Sequence, residues 1–119
     1  MKCGELWWVD FDPTVGSEIQ KTRPAVIVSN DLGNHYSKRV QVVPMSSNTS
    51  RIFPVETLVT VNGATSKAMA DQLTTVDKQR LKNRIGSLSA EELALLEKAI
   101  RIAVNLRPAY PAHDRPNWV

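Results

Sequence analysis

A carboxylate, a guanidinium and a hydroxyl stand where polar loops meet apolar runs in this 119-residue chain. Glu18 and Arg23 belong to Gly16-Ser17-Glu18 and Thr22-Arg23-Pro24, and Ser46-Ser47 follow Val42-Val43-Pro44-Met45. Arg23 stays protonated at any workable pH and offers a planar fork of donors suited to phosphate oxygens. Pro24 and the run Ala25–Val28 tie it to rigid scaffold. This set suits the attack of an RNA 2′-hydroxyl on its own 3′-phosphate. The nucleophile then belongs to the substrate, and the protein has only to align the attack and stabilise charge on the phosphorane. Arg23 and Ser46 supply the donors, with Arg23 acting electrostatically rather than as an acid. Glu18 can accept the 2′-hydroxyl proton, although an unshifted Glu is a feeble base. Asp71 and Gln72, inside a late strand candidate, add further polar groups. Each residue also has a plainer reading: Arg23 as a solvated hairpin residue, Ser46-Ser47 as a strand-end turn satisfying its own backbone, Asp71 as a turn or cap.

Other chemistries find little purchase. His35 and His113 are far apart, and no Cys/His pair has zinc spacing and no acidic run has calcium-loop spacing. No phosphate-cradling Gly-rich loop is present. Cys3 is the single cysteine, which rules out an internal disulfide and fits a reducing cytoplasm. Lys2 alone is thin support for an activated thiol.

The length argues for one domain able to bury its own core. At 42% hydrophobic and 23% charged the composition is that of an ordinary globular protein. No apolar run approaches the roughly 18 residues a membrane span needs, and Glu5 and Asp10 interrupt any signal-peptide core. The net charge of +3 is a mild bias. Its distribution says more: Lys21, Arg23, Arg51, Lys67, Arg80 and Arg84 lie near expected loops and strand ends, whereas Glu91, Glu92 and Glu97 sit on a late helix. Basic loops along one side of a small sheet would attract phosphates.

Elements to hold these residues can be read off the pattern. Residues 5–11 are aromatic and apolar, as in a strand. A loop of about ten residues follows, longer than a hairpin needs. Pro24–Ser29 reads as a strand covered on both faces, and Asn30–Asn34 as a capped turn. Val40–Ser46 is a third strand, with Pro44 indicating an edge or a bulge. Val55–Val61 is a fourth, with shorter candidates at Lys67–Leu73 and Arg84–Gly86. Asp77 opens a helical turn. Ser89 and Glu92 form a capping box, after which Leu93, Leu96, Ile100 and Ala103 make one apolar stripe. Leu95, Ile102 and Leu106 widen it, as for burial against both the core and a second subunit or for a terminal helix packed deeply within a monomer. Pro108 is expected to end this helix, leaving an extended, mobile tail. Trp7 and Trp8 read as core or interface residues. A curled, mostly antiparallel sheet packed on one helix, an α+β architecture, accommodates all of this.

The residues also match a known family. Gly4-Glu5-x-Trp7, Asp10-Phe11-Asp12-Pro13-Thr14-x-Gly16-Ser17-Glu18 and Thr22-Arg23-Pro24-Ala25-Val26-x-Val28-Ser29-Asn30 resemble the MazF/PemK toxins of bacterial toxin–antitoxin systems. The likeness runs on through Val42–Ser47, Ala70-Asp71-Gln72, Thr75–Leu81 and the capping-box helix, over about residues 3–107. It implies a small SH3-like β-barrel with a long C-terminal helix, working as a cytoplasmic homodimer. It implies a metal-independent, sequence-specific endoribonuclease without cofactors, cutting single-stranded (messenger) RNA to a 2′,3′-cyclic phosphate or 3′-phosphate and a 5′-hydroxyl. Arg23 falls on the family's catalytic arginine, Ser46 on its catalytic Thr/Ser, and Glu18 on an acidic residue implicated in activity. Asp71 and Gln72 fall on RNA-contacting positions; Ser17, Lys21, Thr22 and Ser47 are taken with them as substrate-binding. A MazE/PemI-like antitoxin would wrap the toxin and block the RNA groove, in a complex that binds DNA. Two departures stand out. Met69 occupies a position that is basic in some relatives, and the Pro-rich tail 108–119 extends past the toxin domain of residues 1–107. The competing reading is a non-enzymatic toxin of the same fold class that inhibits a target such as DNA gyrase, which would not need the Arg23 and Ser46 pair.

Overall fold

The computed structural model describes residues 1–13 and 15–106. The Pro-rich tail and its call as extended chain lie outside the described residues.

Strands β1 (Glu5–Asp10), β2 (Thr22–Ile27) and β3 (Arg39–Ser46) form an antiparallel centre, with helix α1 (Asp31–Tyr36) between β2 and β3. Asn30 caps α1 by accepting from the Gly33 N–H, as its short polar side chain predicts. Strands β4 (Glu56–Val61), β5 (Ala64–Met69), β6 (Thr74–Asp77) and β7 (Leu81–Ser87) complete one seven-stranded sheet in the order β4-β5-β3-β2-β1-β7, with β6 paired to β3. Helix α2 (Ala90–Ala103) closes the described chain.

The curl follows from β3 changing partners. Its far side pairs with β6 over Arg39–Val42 and with β5 at Met45 and Ser46. Val43 and Pro44 lie between, without a partner on that side, and there a residue lacking an N–H costs least. Pro44 is buried in a central strand, so the expected edge position is not found; the proline marks the switch of partner instead.

The central strands are covered on both faces, as the unbroken apolar run of β2 anticipates. One face carries Val9, Phe11, Ala25, Ile27, Val40, Val42, Val76 and Leu81. The other carries Leu6, Val26, Val43, Met45, Val59 and Ala68, and packs against Leu96 of α2. Half-buried Trp7 joins the first cluster, whereas Trp8 is exposed. Helix α2 starts where the capping box places it: the Ser89 hydroxyl accepts from the Glu92 N–H, and the Glu92 carboxylate accepts from the Ser89 N–H. It stops at Ala103, earlier than Pro108 indicates, and Asn105 in a left-handed conformation turns the chain away.

Candidate functional site

Arg23 lies within β2 rather than at the end of a loop, directly opposite Val9 of β1. Facing residues of an antiparallel pair point the same way, so Arg23 shares the face of Val9, at the rim of the first cluster. Ser46 ends β3 and alternates with Val42 and Val40, which belong to that same face. The β2–β3 ladder ends with Ala25 opposite Pro44, and Arg23 and Ser46 each lie two residues beyond that last pair on their own strands. The guanidinium and the hydroxyl therefore sit on one side of the sheet, the side that α2 leaves uncovered.

Local bonds orient both groups. The Arg23 Nε–H donates to the Gln20 carbonyl at 2.8 Å, which fixes the inner nitrogen and leaves the terminal fork without a hydrogen-bond partner among the described residues. The Ser46 hydroxyl accepts from the Asn48 N–H at 3.2 Å, the strand-end turn expected of it. Its own proton remains able to donate.

The two ends of the long loop are pinned together. Phe11 N–H donates to the Lys21 carbonyl and Lys21 N–H to the Asp12 carboxylate, both at 3.0 Å. Those two bonds hold Lys21 at a φ of 69°, a conformation that costs a non-glycine residue about 1–2 kcal/mol. Arg80, from the 3₁₀ turn Lys78–Arg80, donates to the carbonyls of Asp10 and Asp12 and fastens the root of the loop. Glu18 is exposed, and its carboxylate accepts from the Val15 N–H at 2.9 Å.

A cleft of about 290 Å³ brings together Glu18, Asp71 and Gln72 with Thr74, Thr75 and Arg80, over Phe11 and Ile19. Asp71 and Gln72 lie in a 3₁₀ turn, Ala70–Gln72, not inside a strand. Met69 precedes that turn as the last residue of β5. Arg23 and Ser46 do not line the cleft, nor do Ser17, Lys21, Thr22 and Ser47, of which Ser17, Lys21, Thr22 and Ser47 are all exposed. Thr74 faces Val42, four residues along β3 from Ser46, or roughly 13 Å. The cleft and the Arg23–Ser46 pair are thus neighbouring parts of one face.

Sequence reasoning missed the structural use of three cations here. Arg80 was expected as a loose basic residue but is spent on backbone carbonyls. Lys67 faces Ser46 directly across β5, half-buried, with its ammonium 3.1 Å from the Glu56 carboxylate. Its position among alternating Thr, Ser and Ala gives no sign of that pairing. Lys78 likewise donates to the Asn34 carbonyl, so part of the expected basic surface is structural.

The remaining candidates are quiet. Burial pushes the Cys3 thiol up, and the nearby Asp31 and Glu97 carboxylates push it further, the reverse of what a nucleophile needs. Among the described residues no group of three or more His, Cys, Asp or Glu side chains could hold a metal ion. Among them, too, no helix is long and apolar enough to cross a membrane.

With that geometry in place, comparison with known proteins gives the class. The family described as PemK-like, MazF-like toxin of type II toxin–antitoxin systems matches residues 2–104, and the chain belongs to it. Endoribonuclease MazF9 of Mycobacterium tuberculosis is 40% identical over 115 residues, covering 89% of this chain and 98% of that protein. Among solved structures, MazF of Deinococcus radiodurans superposes with a TM-score of 0.80 at 23% identity, over 89% of this chain and 97% of that one. An endoribonuclease in complex with its cognate antitoxin, from a mycobacterial species, gives 0.77 at 21% identity, over 92% and 99%. These likenesses bear out the α+β architecture.

Proposed function

We propose that this chain is an endoribonuclease, the toxin of a toxin–antitoxin pair, which cuts single-stranded RNA by attack of the substrate's 2′-hydroxyl on the adjacent phosphate. The observation that carries the reading is the common sheet face of Arg23 and Ser46. A phosphate resting between them meets the unengaged fork of Arg23 and the free proton of Ser46. Both donors strengthen as charge gathers on the phosphorane oxygens, which is the interaction that accelerates a reaction. Glu18 lies in the adjoining cleft, on a loop held by Asp12 and Arg80, and is the candidate acceptor for the 2′-hydroxyl proton. Asp71 and Gln72 meet bases or sugars in that cleft, and Ser17, Lys21, Thr22 and Ser47 lie along the exposed approach. The products are a 2′,3′-cyclic phosphate (or 3′-phosphate) and a 5′-hydroxyl, and no step calls on a metal.

Relatives named as endoribonucleases support this over inhibition of gyrase by binding alone. Solved relatives in complex with antitoxins support an antitoxin partner. A homodimer is supported by the exposed apolar residues Leu95 and Ile102 on α2. The bacterial relatives fit a toxin acting in the cytoplasm, with residues 1–107 as its domain.

The test is direct. Purified protein is incubated in EDTA with a panel of end-labelled RNAs, and the new ends are analysed. Cleavage leaving 5′-hydroxyl ends, lost in Arg23→Ala protein of unchanged fold, is the expected result. A panel left uncut by the unaltered protein overturns the reading.

A further inference from the structure

We propose that Lys67 is a positioning residue that clamps the loop 47–55 beside Ser46, so that Phe53 and Arg51 present a stacking edge to a base of the bound RNA. The inference rests on the ribonuclease reading for its substrate, and its test is arranged so that the two can fail separately.

The loop between β3 and β4 begins on the candidate catalytic hydroxyl, since Asn48 N–H donates to the Ser46 oxygen. Asn48 then accepts from both the N–H and the hydroxyl of Ser50. Lys67 holds the next stretch. Its ammonium donates to the Arg51 carbonyl at 3.1 Å and to the Glu56 carboxylate at 3.3 Å. The same carboxylate accepts from the Phe53 N–H at 2.9 Å, and Glu56 N–H donates back to the Phe53 carbonyl at 2.8 Å. One ion pair therefore fixes Arg51, Phe53 and Glu56 together, and it stands on the residue directly opposite Ser46.

The burial of this pair gives it leverage. The Lys67 and Glu56 side chains are only 12% and 7% exposed. Removing one partner leaves a desolvated charge behind, so the clamp does not let go cheaply. What it holds out is apolar: Phe53 is 48% exposed, with the Arg51 guanidinium 5.7 Å from its ring centre. A ring left in water with a cation against it is poorly used by the fold itself. Unpaired bases stack on aromatic rings and on arginine planes, and single-stranded RNA is read largely in that way. The clamp thus links base contact at Phe53 to phosphate placement at Ser46.

Phe53→Leu, Arg51→Gln, Lys67→Met and Lys67→Arg proteins are compared with the unaltered one in two arms. In the cleavage arm, Phe53→Leu raises KM by roughly tenfold with kcat within about twofold, the loss expected of one stacking contact. It also flattens the base preference at one position flanking the cut, read by sequencing the new 5′ ends. Lys67→Met reproduces both effects and Lys67→Arg restores them in large part. In the binding arm, single-stranded RNA carrying 2-aminopurine is added to protein with the Arg23→Ala change. Quenching of the probe at one position, lost in Phe53→Leu, supports the stacking edge even should no RNA be cut. Unchanged KM and base preference in Phe53→Leu, or equal quenching with and without the ring, overturns the proposal. Should Lys67→Met fail to fold, Glu56→Gln removes the charge that Lys67 holds and is expected to reproduce the Phe53→Leu effects on KM and base preference, while KM and base preference unchanged in Glu56→Gln overturn the clamp.

Discussion

At the scale of single residues the proposed site uses groups that need no activation. A guanidinium keeps its charge throughout the working pH range, and a serine hydroxyl can donate without first losing a proton. Arg23→Ala is therefore expected to remove roughly 3–4 kcal/mol of transition-state stabilisation, the loss typical of an oxyanion-type donor. Single-turnover cleavage of a labelled RNA measures it, and a rate within twofold of the unaltered protein would discard the role. Ser46→Ala is expected to slow cleavage less, because a neutral hydroxyl is a weaker donor to developing negative charge than a guanidinium. A larger loss than for Arg23 reverses that ordering. The strands that carry these two positions were legible, from Pro24 with the apolar run after it and from the apolar run that ends at Met45. Lys67 was not, because its role comes from Glu56, which only the β4–β5 pairing brings to it. Arg80 was hidden for a like reason: its partners are backbone carbonyls nearly seventy residues away, and carbonyls leave no mark in the sequence.

Elements were most legible where a side chain acts on its own neighbours. The capping box of α2 and the Asn30 and Asp77 caps involve residues two or three apart and were read correctly. The turn Asn62-Gly63, both with positive φ, is the expected chemistry for a two-residue hairpin. It starts β5 three residues before the expected Lys67. Strand β6 escaped notice because Thr74–Asp77 is short and earns its assignment only by pairing with β3. The α2 cap carries a prediction of its own. The Glu92 carboxyl is held below the usual carboxylate range first by the Ser89 N–H and then by the Thr60 N–H, against the opposing effect of burial. A depressed value in the folded state means stability that is present above the unfolded value and lost as pH falls through the folded one. Glu92→Ala is expected to cost about 1 kcal/mol at neutral pH, as loss of a cap does. Urea midpoints of the two proteins should converge on acidification below the carboxylate range. A gap that stays constant with pH would mean that the ionised form is not what holds the helix to β4.

On the scale of the whole molecule, the two sides of the sheet have different work. One buries its centre under α2, and the other keeps Arg23, Ser46 and the Glu18–Asp71 cleft open at its rim. The outer side of α2 is left apolar: Leu95 and Ile102, seven residues apart on one helix face, are 53% and 47% exposed. Together with Pro54, Thr57 and Ala99 they edge a groove between α2 and the start of β4. A monomer gains nothing by holding that stripe in water, whereas a second copy laid against it removes the remaining exposed half of two large side chains per chain from solvent, each worth about 1 kcal/mol. The apolar stripe at Leu95 and Ile102 was readable from helical spacing alone, but whether it met the core or the outside was not, because periodicity does not say how many faces are covered. The expected mass in solution is twice the 13.3 kDa of one chain. The double change Leu95→Glu with Ile102→Glu should halve it, since four carboxylates would then face one another across the contact. Light scattering coupled to gel filtration measures both proteins, with circular dichroism to verify that the variant keeps its sheet and helix. An unaltered protein that runs as a monomer at tens of micromolar, or a variant that remains dimeric, places the contact elsewhere on the molecule.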